Sequence, residues 1–312
     1  MTLYVQYILQ SGIDMVGVEA YQLEFRNDDY SDVNNRGALS IGSQEDEDNG
    51  PSNVDQSTER EIEILQARAD DGDSEACYEL AVHLWETKEY QKALDMYEKA
   101  AQLSEPNAYY ALGNLYRSGF SSDHFTIAQN SQVAFMYYCI GSTCPGDINY
   151  TNYPNIMMVA QYYEKGYNKL PDVRYDKARQ WYMSANYYLR AEDVDRPPAL
   201  LAMGKLEHSW ANATSDPLEA KQQRQNAFNI FHRCRGSEPY AKFMVAMYHL
   251  YGWEVRQPVP GLAFNMLLSL VESGIKEVPV AIAKCYEEGV GVERDPVKAA
   301  AYREFASQMH KE

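Results

Sequence analysis

The sequence predicts an all-α solenoid of about six helix-turn-helix units, and three recurrences along its 312 residues carry that prediction. Anchors at Ala76, Ala108, Asn155, Ala199, Ala241 and Val278 are followed four residues on by Leu80, Leu112, Val159, Met203, Val245 and Ile282, all apolar. The next residue is always small: Ala81, Gly113, Ala160, Gly204, Ala246 and Ala283, so a neighbouring helix can approach closely there. Each unit then carries a second alanine, at Ala93, Ala134, Ala178, Ala227, Ala263 and Ala299, with large apolar side chains three or four residues later, among them Tyr97, Tyr138, Tyr182, Phe231, Leu267 and Tyr302. Anchor spacings of 32, 47, 44, 42 and 37 residues fit two helices and a connection of variable length. A fixed core with elastic loops marks stacked repeats.

The chain divides in order. Residues 1–26 read as a β-hairpin segment, with Tyr4 to Leu9 facing the partial alternation of Val16, Val18, Tyr21, Leu23 and Phe25. Two strands alone are marginal, so this piece needs a surface to pack on. Residues 27–57, which include Glu45-Asp46-Glu47-Asp48, lack the apolar content to offset ordering entropy and read as an acidic flexible linker. Residues 58–312 follow the helical period, with no clear strand signal. Ser57-Thr58-Glu59-Arg60-Glu61 offers a cap with an acidic first turn ahead of the Ile62, Leu65 and Ala69 stripe. Eleven residues after four of the anchors stand Gly119, Gly166, Gly252 and Gly289, where left-handed helix stops are expected; Thr87 and Trp210 break the rule. The doublets Tyr109-Tyr110, Tyr137-Tyr138, Tyr162-Tyr163 and Tyr187-Tyr188 place one ring toward the core and its neighbour about 100° away.

The net charge of −17 argues against a surface built to neutralise phosphates or anionic lipid, so neither nucleic acid nor direct membrane insertion is expected. Its distribution is uneven, because residues 1–73 hold 17 acidic and 4 basic residues. No apolar stretch reaches the length of a membrane span. The first residues lack a basic leading segment and make a poor secretory signal. Five cysteines, sparse and odd in number, do not suggest a disulfide framework. A cytoplasmic setting is expected as the sequence stands, and the endoplasmic reticulum if the chain is a piece of a secretory-pathway protein. Asn149-Tyr150-Thr151 and Asn212-Ala213-Thr214 are glycosylation sequons that the second setting would put to use.

The stretch from Cys285 through Tyr286, Gly289, Gly291, Val292, Asp295, Lys298 and Ala299 to Tyr302 resembles the Sel1-like repeat. The hallmark of that repeat is Tyr-x-x-Gly-x-Gly-Val, an Asp, and then Lys-Ala-x-x-Trp/Tyr. Asp176-Lys177-Ala178-Arg179-Gln180-Trp181-Tyr182 repeats its second half. The resemblance covers roughly residues 74–312, and the unit from Ala76 to Ala101 is closer to the shorter tetratricopeptide repeat. It implies a right-handed superhelical solenoid acting as a non-catalytic scaffold or adaptor for other proteins. Members of the family serve in ubiquitin-ligase complexes of endoplasmic-reticulum-associated degradation, some of them membrane-bound, in signalling and in cell-wall synthesis. The degradation adaptors separate groups of repeats with an insert, a part that residues 1–57 could fill.

With positions four, five and eight after the anchor packed between helices, positions two and six fall on the other side of the wheel, toward a concave groove. Position two holds Tyr78, Tyr110, Met157, Leu201, Phe243 and Val280; position six holds Val82, Asn114, Gln161, Lys205, Met247 and Lys284. Aromatics and Met flanked by amides and Lys have the composition of an interaction surface for an extended or helical segment. The competing expectation is that these side chains complete packing within each pair. Alanine at Tyr110 and Phe243 together is expected to weaken partner capture without changing the melting curve. No catalytic residue, cofactor or metal is expected. Gly289-Val290-Gly291 follows a helix rather than a strand and lacks a third glycine in register. Cys139 and Cys144 have no second pair at zinc spacing. His232 and Cys234, two apart on one helix, point in different directions.

Overall fold

The computed structural model describes residues 54–144, 152–166, 173–188 and 198–309. The expected hairpin over residues 1–26 and the linker up to residue 53 lie outside these residues. Helix α1 (Val54–Asp70) precedes six pairs: α2 (Ser74–Glu86) with α3 (Tyr90–Gln102), α4 (Pro106–Ser118) with α5 (Ser131–Ser142), α6 (Tyr153–Lys165) with α7 (Tyr175–Tyr188), α8 (Pro198–Ala213) with α9 (Pro217–Cys234), α10 (Pro239–Tyr251) with α11 (Pro260–Leu268), and α12 (Glu277–Glu288) with α13 (Pro296–Gln308). Each helix packs on its neighbours in sequence, which is the contact pattern of a solenoid.

Local chemistry sets the ends. Asp73, Glu105, Asn130, Asp216 and Asp295 each accept a hydrogen bond from a first-turn backbone N–H. Proline stands in the first turn of α4, α6, α9, α10, α11 and α13, where its missing N–H costs nothing. Gly166, Gly252 and Gly289 end α6, α10 and α12 in the left-handed region, and Gly119 ends α4 at a φ of 70°. Trp210 breaks the pattern because α8 runs on to Ala213.

The anchors form the spine of the core. Ala76, Ala108, Asn155, Ala199, Ala241 and Val278 are all fully buried, as are five of the six second alanines, with Ala299 at 1%. In the second and fourth units the small position after the anchor receives a ring of the trailing helix. A Cβ built on Gly204 would lie 2.7 Å from the Phe231 ring, and one on Gly113 would run into Tyr138. The apolar fourth position is buried in every unit but the fourth, where Met203 is half-buried and Leu206 takes the inward place. Two of the three fully described tyrosine doublets put one ring in the core, Tyr138 and Tyr162 being buried and Tyr137 and Tyr163 half-buried, whereas Tyr109 and Tyr110 are both half-buried.

Two features depart from expectation. Helix begins at Val54, so the last residues assigned to the linker belong to α1. A two-stranded antiparallel sheet, β1 (Phe120–Ser121) with β2 (Thr126–Ile127), fills the α4–α5 connection, pairing Phe120 with Ile127. Two residues per strand are too few to give an alternation signal. What holds the hairpin is an aromatic cluster in which Phe120 lies 4.8 Å from both Trp85 and Tyr90, with Phe125 against Tyr90 at 5.9 Å.

Candidate protein interaction surface

The ten side chains expected to line a groove fall into three groups. In the first two units they turn toward their own trailing helix. Tyr78 meets Tyr97 at 5.9 Å, Tyr110 meets Tyr138 at 6.0 Å, and Asn114 accepts a hydrogen bond from the Tyr138 hydroxyl at 2.9 Å. Met157 packs among the clusters that join the third and fourth units, and Gln161 is half-buried. Phe243 requires a correction: at 5% exposure it belongs to the core of the last three units, because α10 is apolar around most of its circumference. It cannot present its ring to a partner.

The third group forms a continuous strip over the leading helices α8, α10 and α12. Lys205 of α8 sets its ammonium 4.2 Å over the Tyr240 ring of α10. Lys284 of α12 donates to the Tyr251 hydroxyl at 3.1 Å, lies 4.9 Å from that ring's centroid, and faces Glu288 at 3.8 Å. Tyr251 stacks on Trp253 at 4.8 Å. On α10, Tyr240, Met247 and Tyr251 share one face, seven and four residues apart. Val280 stands one turn before Lys284 on α12 and is 47% exposed, and Tyr251 is 43% exposed. Half-buried Leu201 lies one turn before Lys205 on α8. Each of the two lysines is therefore held against an aromatic ring beside exposed apolar surface.

A polar centre that the repeat pattern conceals joins the third and fourth units. Glu207 is 2% exposed and stands eight residues after its anchor, where the fifth and sixth units carry His249 and Tyr286. Arg179 of α7 reaches it with two hydrogen bonds of 2.5 Å and gives a third, of 2.6 Å, to Gln223 of α9. Asn226 donates to Gln223 at 3.0 Å, and the Arg179 guanidinium lies 4.4 Å over Trp210. Reading position eight along the six units would have exposed this carboxylate among aromatic and apolar neighbours.

Reactive groups are held in unreactive states. Burial pushes the Cys139 thiol up to about 12 and those of Cys144 and Cys285 up to about 11, so all three stay protonated near neutral pH. Cys234 points its Sγ at the Ile230 carbonyl, 3.3 Å away, while His232 is exposed on another face. The His208 Nδ1 lies 3.0 Å from the Tyr248 hydroxyl. Among the described residues no group of three His, Cys, Asp or Glu could hold a metal ion, and no helix is long and apolar enough to cross a membrane.

The Sel1 repeat model matches residues 74–105, 106–142, 156–185, 239–274 and 280–309, together just over half of the chain. The first of these spans takes in the unit expected to be nearer the tetratricopeptide repeat. The α8–α9 pair, residues 198–234, falls in the gap between matches, although its anchor, second alanine and packing follow the same scheme. No curated protein sequence matches the chain. Among solved structures it is similar to a protective antigen of uropathogenic Escherichia coli displaying an SLR fold, with 20% identity and a TM-score of 0.59 over 79% of this chain and 48% of the other. It is also similar to a Sel1 repeat protein from Oxalobacter formigenes, with 17% identity and a TM-score of 0.55 over 74% of this chain and 82% of the other. The chain thus spans about half the length of the first and most of the second, and at these identities the likeness is one of fold. Repeat matches, anchor geometry and solenoid neighbours lead to one assignment: the chain belongs to the Sel1 repeat family.

Proposed function

We propose that this chain is a non-catalytic scaffold that holds a segment of another protein across the leading helices α8, α10 and α12. Sel1-repeat solenoids as a class mediate protein–protein interaction. The observation that supports the location is the strip in which exposed Val280 and Tyr251 accompany two lysines that each lie over a tyrosine ring. Such a strip offers apolar area at low entropic cost, because its long side chains are already ordered. Aromatic rings and Met at its centre, with Lys and Glu288 at the rim, match the make-up of protein interfaces. In the first two units the corresponding side chains are committed to packing within their pair, so the strip occupies the later half of the solenoid.

Co-purification from the source cells tests this reading. Val280→Glu combined with Tyr251→Ala should remove the partners that the unaltered chain retains, with helical signal preserved. Val297→Glu, at a 79% exposed position of α13, should remove none. Retention of the same partners by the first variant would contradict the proposal.

A further inference from the structure

Helix α9 carries a charge pattern unlike the rest of this acidic chain. From Lys221 to its C-terminal cap Arg235 it carries Lys221, Arg224, Arg233 and Arg235 and no Asp or Glu, in a protein of net charge −17. On a 100° wheel Lys221, Arg224, His232 and Arg235 all fall within about 40° of Phe228. The buried residues Ala220, Gln223, Ala227, Phe231 and Cys234 lie about a quarter-turn away, and Arg233 lies outside the stripe. Lys221, His232 and Arg235 are exposed and Arg224 is half-buried. Phe228 at the centre rests against His232, Tyr248 and His249, with centroids 5.6 to 5.8 Å apart, so the stripe runs along the flank that α9 shares with α10.

Among the described residues none of Lys221, Arg224 or Arg235 makes an ion pair. Near the start of α9 Glu207 is held by Arg179 and Glu219 accepts the Thr214 hydroxyl, while at its end the Arg235 guanidinium donates to the His232 carbonyl. Burial lowers the His232 imidazole below its usual range, and Arg235 and His249 lower it further; burial and then Arg224 do the same at His208.

We propose that this flank of α9 docks an extended acidic segment of a partner protein. The stripe from Lys221 to Arg235 runs about 21 Å along the helix, the length of roughly six residues of extended chain. A short segment with several carboxylates meets the stripe alone. A nucleic acid or an anionic bilayer would also bring its charge against the acidic remainder of the molecule. The stripe lies in the one pair that the Sel1 repeat model leaves unmatched, so it is a feature of this chain and not of the repeat pattern. It is separate from the strip over α8, α10 and α12, and either can fail without the other.

Fluorescence anisotropy on the full chain tests the proposal with a labelled heptapeptide of alternating Glu and Asp, its Gln and Asn counterpart, a single-stranded RNA oligomer and phosphatidylserine vesicles. The acidic peptide should bind at least about tenfold more tightly than its amide counterpart, and its affinity should fall as salt rises. Lys221→Glu with Arg235→Glu should lower that affinity about tenfold or more, while Lys221→Arg with Arg235→Lys retains it. Both substitutions are at exposed positions, and circular dichroism confirms that each variant is folded. Equal binding of the amide peptide, indifference to charge reversal, or preference for RNA or vesicles over the acidic peptide would each overturn the proposal.

Discussion

Gly204 shows what a single methylene decides in this fold. Its α-carbon faces the Phe231 ring so closely that a Cβ would sit 2.7 Å away, and the ring is fully buried. Gly204→Ala should therefore destabilise by about 1–3 kcal/mol through overpacking, read as a lowered melting temperature. Phe243→Ala removes a ring from the core of the last three units and should cost about 3–5 kcal/mol. The Tyr110 and Phe243 double alanine would lower the melting curve, contrary to the expectation drawn from the sequence. Glu207→Ala strands Arg179, which solvent reaches only in part, and should cost about 3 kcal/mol; Arg179→Met with Glu207→Leu should restore much of that stability. Anchors and small positions could be read from the chain because they recur. The partners of Glu207 could not, since Arg179 and Asn226 stand 28 and 19 residues away and only the stacking of pairs brings the three together.

At the scale of elements, α8, α9 and α10 meet around three histidines. Burial is the first cause that lowers the imidazoles of His208, His232 and His249, and Arg224 adds to it at His208. A lowered folded pKa means that the unfolded chain takes up protons first, from the usual histidine value of about 6.5 downward. Stability should be level above about pH 7 and should fall as pH drops through 6. Melting temperatures across pH 7.5 to 5.5 check this, and His208→Gln should flatten the slope. The carboxylates held low by partners, Asp176 by Arg174 and Glu287 by Arg303, lose their contribution only nearer pH 4. Helix identity was legible at this scale because the anchors carry the 3.6-residue period. The hairpin of Phe120 and Ile127 and the long α8 were not, since ring packing across units and a missing glycine stop set them.

The whole solenoid is unevenly knit. One large core spans the last three units, another the first two, and only smaller clusters join α5, α6, α7 and α8. In a repeat array stability is a sum of units and their interfaces. Amides of α6 and α7 should thus exchange with solvent faster than those of α10 and α12, and Glu207→Ala should split thermal unfolding into two steps. The net charge of −17, concentrated ahead of the repeats, left the binding surface open. Which side chains are free and which are committed to packing depends on contacts between units, and the strip emerged only from those contacts. Site-specific photo-crosslinking tests it most directly, with a photoreactive residue at Val280 on α12 and, as a control, at Val297 on α13. The account predicts that Val280 captures one or more defined proteins in the source cells and that Val297 does not capture them. Capture of the same proteins from Val297, or none from Val280, would contradict it.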